Sequence, residues 1–354
     1  MRLKLHRNDG IGPRSLLVLL CCAWLSAPAE AAPEPGAEQE TERPPQQQTL
    51  AVHVERPAET LSDELSPKRP IGDSAATAET PSNSIVWSPE DTARIERLGL
   101  HPEMNLLQFH DRVSMNRLRE AWRSAKTEGL RIVHVGDSHV QGGVIHRELR
   151  SELWPELGNG GHGLLFPYSA AKTYAPRSYR SSHRGSWTYG KSWRLPAEVP
   201  LGVTGMSVRT RNPEASFTIT FRAPVPDDWR ALRIYCERDR TSYDLKVDSG
   251  GRTTHVRVRP KGEDERPYIE VELPKVGRSI RVRMRRRSPR QKAFELHGMT
   301  LQSVNPGGLV VHNGGVGASR FRAILHEEHF ESHLTSLDPH LVIVEYGTND
   351  YLYE

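Results

Sequence analysis

Two short apolar runs, each ending in a sharp polar turn, most constrain what this 354-residue chain folds into. Arg131-Ile132-Val133-His134-Val135 leads directly into Gly136-Asp137-Ser138-His139, and Leu341-Val342-Ile343-Val344 leads into Gly347-Thr348-Asn349-Asp350. Runs this short, rich in β-branched residues, suit strands buried on both faces, as in a parallel sheet. A helix expected over Val144–Leu153 follows the first turn, which makes a β-turn-α unit. A third run, Leu309-Val310-Val311, opens onto Asn313-Gly314-Gly315-Val316-Gly317. If these strands are parallel neighbours, their turns share one sheet edge, where open α/β folds bind ligands. Ser138 would then lie at a helix start, where free N–H groups and the helix dipole favour negative charge. Gly317 can offer a backbone N–H without a side chain in the way, and Asn349 a side-chain amide.

The rest of the chain divides by texture. Arg2, Lys4, Arg7 and Arg14, then an apolar stretch from Leu16 to Leu25, then Ala29-Glu30-Ala31 form the pattern of an export signal over residues 1–31. That stretch is shorter than the ~20 residues needed to cross a bilayer, and Cys21 after Leu20 is a poor lipoprotein context. Residues 32–84 are rich in Pro, Glu, Ala, Gln and Thr and read as a disordered linker. The reading is therefore an exported protein, periplasmic or extracellular, with no transmembrane segment after signal cleavage. Order is expected from about Trp87, with a helix over Met104–Thr127. From Gly202 to Leu301 the pattern alternates at strand period, as in Phe217-Thr218-Ile219-Thr220-Phe221 and Ile280-Arg281-Val282-Arg283-Met284, with turns such as Asp248-Ser249-Gly250-Gly251 between. This is an all-β, sandwich-like insertion dividing an α/β domain into 85–201 and 302–354. A helix is expected over 319–336.

Three cysteines, two of them inside the signal, leave Cys236 alone, which excludes an intramolecular disulfide and a cysteine-based zinc site. The net charge of +4 conceals an acidic linker and a basic remainder, which suits an anionic polymer.

Gly-Asp-Ser, a glycine turn and Gly-x-Asn-Asp, in that order, resemble blocks I, II and III of the SGNH (GDSL-type) hydrolase superfamily. The resemblance covers roughly residues 95–354. Gly136-Asp137-Ser138-His139-Val140-Gln141, the run Leu157–Leu164 and the β insertion make it similar to bacterial peptidoglycan O-acetylesterases that carry a carbohydrate-binding-like module. The resemblance implies a flavodoxin-like three-layer α/β fold and a serine esterase removing O-acetyl groups from peptidoglycan or a related polysaccharide. It makes Ser138 the nucleophile, with its own N–H, Gly317 and Asn349 as oxyanion donors and Gly315 the alternative to Gly317. Asp137, His139, Gly315 and Asp350 become substrate-lining candidates. No metal, organic cofactor, dinucleotide or nucleic acid is implied.

The resemblance also expects a late Asp-x-x-His block, and only Asp350 to Glu354 follow Asn349. The expectation is therefore a C-terminally truncated hydrolase domain. The alternative is a catalytically inactive glycan-binding or scaffold protein. His340 begins the strand whose far end bears Asn349, roughly 25–30 Å from the site at ~3.3 Å per residue. His326, His329 and His333 read as a solvated helix face rather than a metal site. Gly158-Asn159-Gly160-Gly161-His162-Gly163 fits G-x-G-x-x-G but follows a helix, so it reads as a loop near the site. The Arg-rich stretch Arg278–Lys292 reads as a strand with one solvated cationic face, lacking the aromatic pattern of a nucleic-acid platform.

Overall fold

The computed structural model describes residues 17–20 and 111–352 except 261 and 263. The expected linker, and the first part of the helix expected over Met104–Thr127, lie outside the described residues. Fifteen strands are present among them: β1 Leu17–Leu20, β2 Leu130–Gly136, β3 Gly161–Leu165, β4 Tyr179–Arg184, β5 Thr188–Lys191, β6 Met206–Thr210, β7 Ser216–Phe221, β8 Trp229–Cys236, β9 Asp244–Ser249, β10 Arg252–Val256, β11 Tyr268–Glu272, β12 Ser279–Arg285, β13 Phe294–Ser303, β14 Leu309–Gly315 and β15 Leu341–Glu345. The helices are α1 Arg112–Arg123, α2 Ala125–Glu128, α3 Ser138–Gln141, α4 Val144–Leu157, a 3-10 helix Phe321–His326, α5 Phe330–Leu337 and α6 Thr348–Leu352. No helix among the described residues is long and apolar enough to cross a membrane.

The strands form three sheets. One is four-stranded, in the order β1-β15-β2-β14, and its pairs are parallel. The others are antiparallel: β10-β9-β12-β7-β4, and β11-β8-β13-β6-β5 with β3 also paired to β13. The flavodoxin-like three-layer α/β expectation is therefore corrected. Eleven of the fifteen strands lie in the two antiparallel sheets, and β structure dominates the described residues. The packing gives the reason. One face of the parallel sheet, through Ile132, Leu309 and Val311, buries Ala121, Ala125 and Leu157 of the helices. Its other face, through Val133, Val135, Val342 and Val344, meets Leu337 of α5 but also Val203, Tyr235 of β8 and Tyr268 of β11. A β layer thus takes part of the place a second helical layer would fill.

Between the antiparallel sheets, Phe217, Ile219, Leu245, Val247 and Val282 pack against Leu232, Ile234, Leu296 and Met299. At ~25 cal/mol per Å² of apolar surface removed from water, such side chains each contribute on the order of 1.5–3 kcal/mol. Cys236 is a buried thiol in this core. Along β12, Ile280, Val282 and Met284 are buried while the arginines alternate outward, and Arg283 Nε donates to Asp248 Oδ2 at 2.6 Å.

The segment Gly158–Gly163 is not the loop expected. Its second half belongs to β3, a wholly buried strand. A Cβ on Gly163 (φ +81) would stand 2.8 Å from the Val311 carbonyl oxygen, so glycine permits this close approach.

Candidate active site

Because β14, β2 and β15 are parallel neighbours, their C-terminal turns meet at one edge. In register, Gly136 of β2 lies between Gly315 of β14 and Glu345 of β15. Ser138 is the first residue of α3 and is exposed. No hydrogen bond to its Oγ is present among the described residues. Its carbonyl accepts from the Tyr174 hydroxyl at 3.4 Å. A Cβ built on Gly317 would stand 3.9 Å from the Ser138 Cβ, so the two turns face one another.

Asp137 is the hub of the arrangement. It is buried at 2% exposure, and its Oδ1 accepts from the His139 backbone N–H at 3.0 Å, capping α3. The same oxygen lies 3.0 Å from Nδ1 of the exposed His139 ring. Its Oδ2 accepts from Asn349 Nδ2 at 3.3 Å, and that amide also donates to the Ser319 carbonyl at 3.0 Å. Asp137, Ser138, His139, Gly317 and Asn349 therefore gather at one place. Two other expected residues do different work. Gly315 lies under α3, where it donates to Asn313 Oδ1 at 3.0 Å. Asp350 turns to the 3-10 helix and accepts from the Phe321 N–H at 3.1 Å. His340 sits at the far end of the sheet, its Nδ1 accepting from the Arg131 N–H at 3.1 Å.

The resemblance gives Gln141 of the first motif no role. It is fully buried, and its Oε1 accepts from the Gly317 N–H at 2.5 Å. Its Nε2 donates to the Tyr174 carbonyl at 2.8 Å and to Thr173 Oγ1 at 3.2 Å. Gln141 thus holds the glycine turn to the 173–174 segment. Replacing it with leucine removes one acceptor and two donations at a dry position. The expected cost is about 1–3 kcal/mol, read from urea unfolding midpoints of the two proteins.

Behind Asn349, Ser319 Oγ lies 2.9 Å from Ser192 Oγ, and Ser192 in turn hydrogen-bonds the Glu327 carboxyl. Burial pushes Glu327 up to about 8, with the neighbouring Glu328 charge adding and the Ser192 hydrogen bond opposing. The folded pKa is thus above the unfolded value of 4.5. Between these two values the unfolded chain ionises first, so stability falls as pH rises from about 4.5 to about 8. Glu327→Gln removes that slope. Relative to wild type, the variant is expected to be close to neutral at pH ~5 and more stable at pH ~8. Urea midpoints at both values check this; a wild type-minus-variant difference that does not change with pH would refute it.

Beneath the site, His134 Nε2 lies 2.9 Å from Glu345 Oε2. That hydrogen bond holds the Glu345 carboxyl below the usual range, against an opposing contribution from burial. Burial also holds His312, on β14, down to about 3, and it keeps His146 and His162 neutral.

No protein-family profile and no curated protein sequence matches the chain. Among solved structures, it is similar to a peptidoglycan O-acetylesterase at 18% identity and a TM-score of 0.49, covering 68% of this chain and 62% of that one. The chain thus spans about six-tenths of that protein's length. A family two carbohydrate esterase from Cellvibrio japonicus shows 14% identity and a TM-score of 0.21, over 35% of this chain and 34% of that one. A pectin-binding carbohydrate-binding module shows 6% identity and a TM-score of 0.25, over 38% of this chain and 97% of that module.

Proposed function

We propose that this protein is an exported serine esterase of the GDSL type that removes O-acetyl groups from a cell-envelope glycan such as peptidoglycan. What supports the reading is the meeting of three separate sequence blocks, at Ser138, Gly317 and Asn349, around one exposed serine at a helix start. In this reading Ser138 Oγ attacks the acetyl carbonyl carbon and yields its proton to a base. The oxyanion is met by the Ser138 and Gly317 N–H groups and the Asn349 amide. Collapse expels the sugar oxygen, which takes the proton, and water then releases acetate from the acyl-serine. A charged oxyanion competes for the Gly317 N–H with the neutral Gln141 oxygen it now meets, since hydrogen bonds to an anion are about twice as strong as neutral ones. The base is, by the resemblance, a histidine of an Asp-x-x-His block. The β sheets spanning Tyr179 to Ser303 would bind the polysaccharide.

A second reading is a glycan-binding protein without turnover. It is favoured by one observation: among the described residues no imidazole is hydrogen-bonded to Ser138 Oγ. Acetate release from O-acetylated peptidoglycan and from a small acetyl ester, run with labelling of the serine by a fluorophosphonate, separates the two. Turnover with labelling at Ser138 supports the esterase. Glycan binding with neither supports the second reading.

A further inference from the structure

The histidines expected to form a solvated face after residue 319 are not so arranged. Only His326 is exposed; His333 is buried at 2%, and His329 is half-buried at the N-cap of α5. The chain breaks its helical course there because the His329 N–H donates to the Leu201 carbonyl at 2.9 Å. This docks the His329 ring against His297 of β13, with ring centroids 4.7 Å apart. Glu237, the residue after β8, lies beside them. One ligand atom from each of Glu237, His297 and His329 falls within 4.8 Å of the others.

We propose that Glu237, His297 and His329 bind a divalent transition-metal ion of the zinc class. Two imidazoles and one carboxylate form a donor set suited to zinc, with a fourth position left for water. The surroundings orient the ligands as metal sites require. His297 Nδ1 is 2.9 Å from Ser207 Oγ, so with Nδ1–H donating there, Nε2 is the nitrogen presented to the ion. Glu295 Oε1, 3.5 Å from the same Nε2, stands beside the ion position as a further carboxylate oxygen, and Arg209 holds the other oxygen of that carboxylate. His333 stacks on His329 with centroids 5.5 Å apart and planes 21° from parallel, which limits how the His329 ring turns. Two atoms bound tetrahedrally to one zinc at ~2.0–2.2 Å lie about 3.3–3.6 Å apart. The ion would therefore draw together any ligand pair standing farther apart than that, and Glu237 is half-buried rather than buried. Glu237 also lines a surface pocket, together with Glu295.

The three ligands come from chain segments far apart, so the ion would clamp the start of α5 to β8 and β13. The inference does not depend on the role of Ser138. The test uses the full chain with any affinity tag removed, stripped with EDTA and titrated with zinc sulfate by calorimetry. About one zinc per chain and a rise of several degrees in Tm are expected. Glu237→Gln and His329→Gln should each weaken binding at least about tenfold, and cobalt(II) should show tetrahedral d–d absorption in wild type. Should His329→Gln fail to fold, Glu237→Gln carries the comparison alone. Stoichiometry far below one, or zinc binding by Glu237→Gln equal to wild type, would overturn the proposal.

Discussion

With Ser138 as the nucleophile proposed above, Ser138→Ala is expected to lower acetyl-ester hydrolysis by about 10³–10⁶-fold while leaving the unfolding transition where it is in wild type. The size of the effect follows from covalent chemistry, because alanine has no oxygen to form the acyl intermediate. On that proposal the remaining donors at Gly317 and Asn349 would sustain only the slow attack of water on a bound ester. Stability is spared because Ser138 is exposed and its side chain holds no other element in place. The N-cap of α3 is Asp137, which the substitution does not touch. Rates of acetate release and thermal melts of the two proteins check both halves. Equal rates would end the nucleophile assignment, and equal, near-background rates would favour the glycan-binding reading.

Gly315→Ala is expected to cost about 3 kcal/mol, at the upper end of what overpacking usually does. Its Cβ would fall on the backbone of α3, 2.6 Å from the Val140 carbonyl carbon and 2.8 Å from the Gln141 Cα. Backbone does not rotate away as a flexible side chain does, so α3 must lift from β14. For a folded unit of this size the cost corresponds to a fall of about 6–12 °C in Tm. Ser138 and Gln141 are the two ends of α3, so the displacement also moves the serine and loosens the Gly317 turn. Activity should fall together with stability. A variant that melts with wild type would show that α3 is less tightly seated than its contacts imply.

These two substitutions mark how far the chain is legible residue by residue. The apolar runs are readable because a strand packed on both faces announces itself locally: Arg131–Val135 lies within β2, and Leu341–Val344 within β15, where Val342 and Val344 are buried and Leu341 and Ile343 half-buried. The alternation from Phe217 to Met284 was readable for the same reason, since one buried face imposes a period of two. Helical period alone misled at 319–336, where a 3-10 helix and α5 stand in place of one helix. There the tertiary bond from His329 to Leu201 interrupts the course. Glycines misled at 158–163. Their weak strand preference suggests a loop, whereas pairing with β13 and close contact with β14 need the absence of a Cβ.

The amino-acid sequence by itself determined that turns bearing serine, glycine and asparagine follow buried strands, because each is set by neighbours in the chain. Only the tertiary structure decided what surrounds them. It set Gln141 on the Gly317 N–H and Asp137 between His139 and Asn349. It brought Glu237, His297 and His329 together, and it laid Tyr235 and Tyr268 of the β layer against the parallel sheet where a helical layer was expected. Each of these joins residues remote in the chain, through packing and burial that no local period encodes.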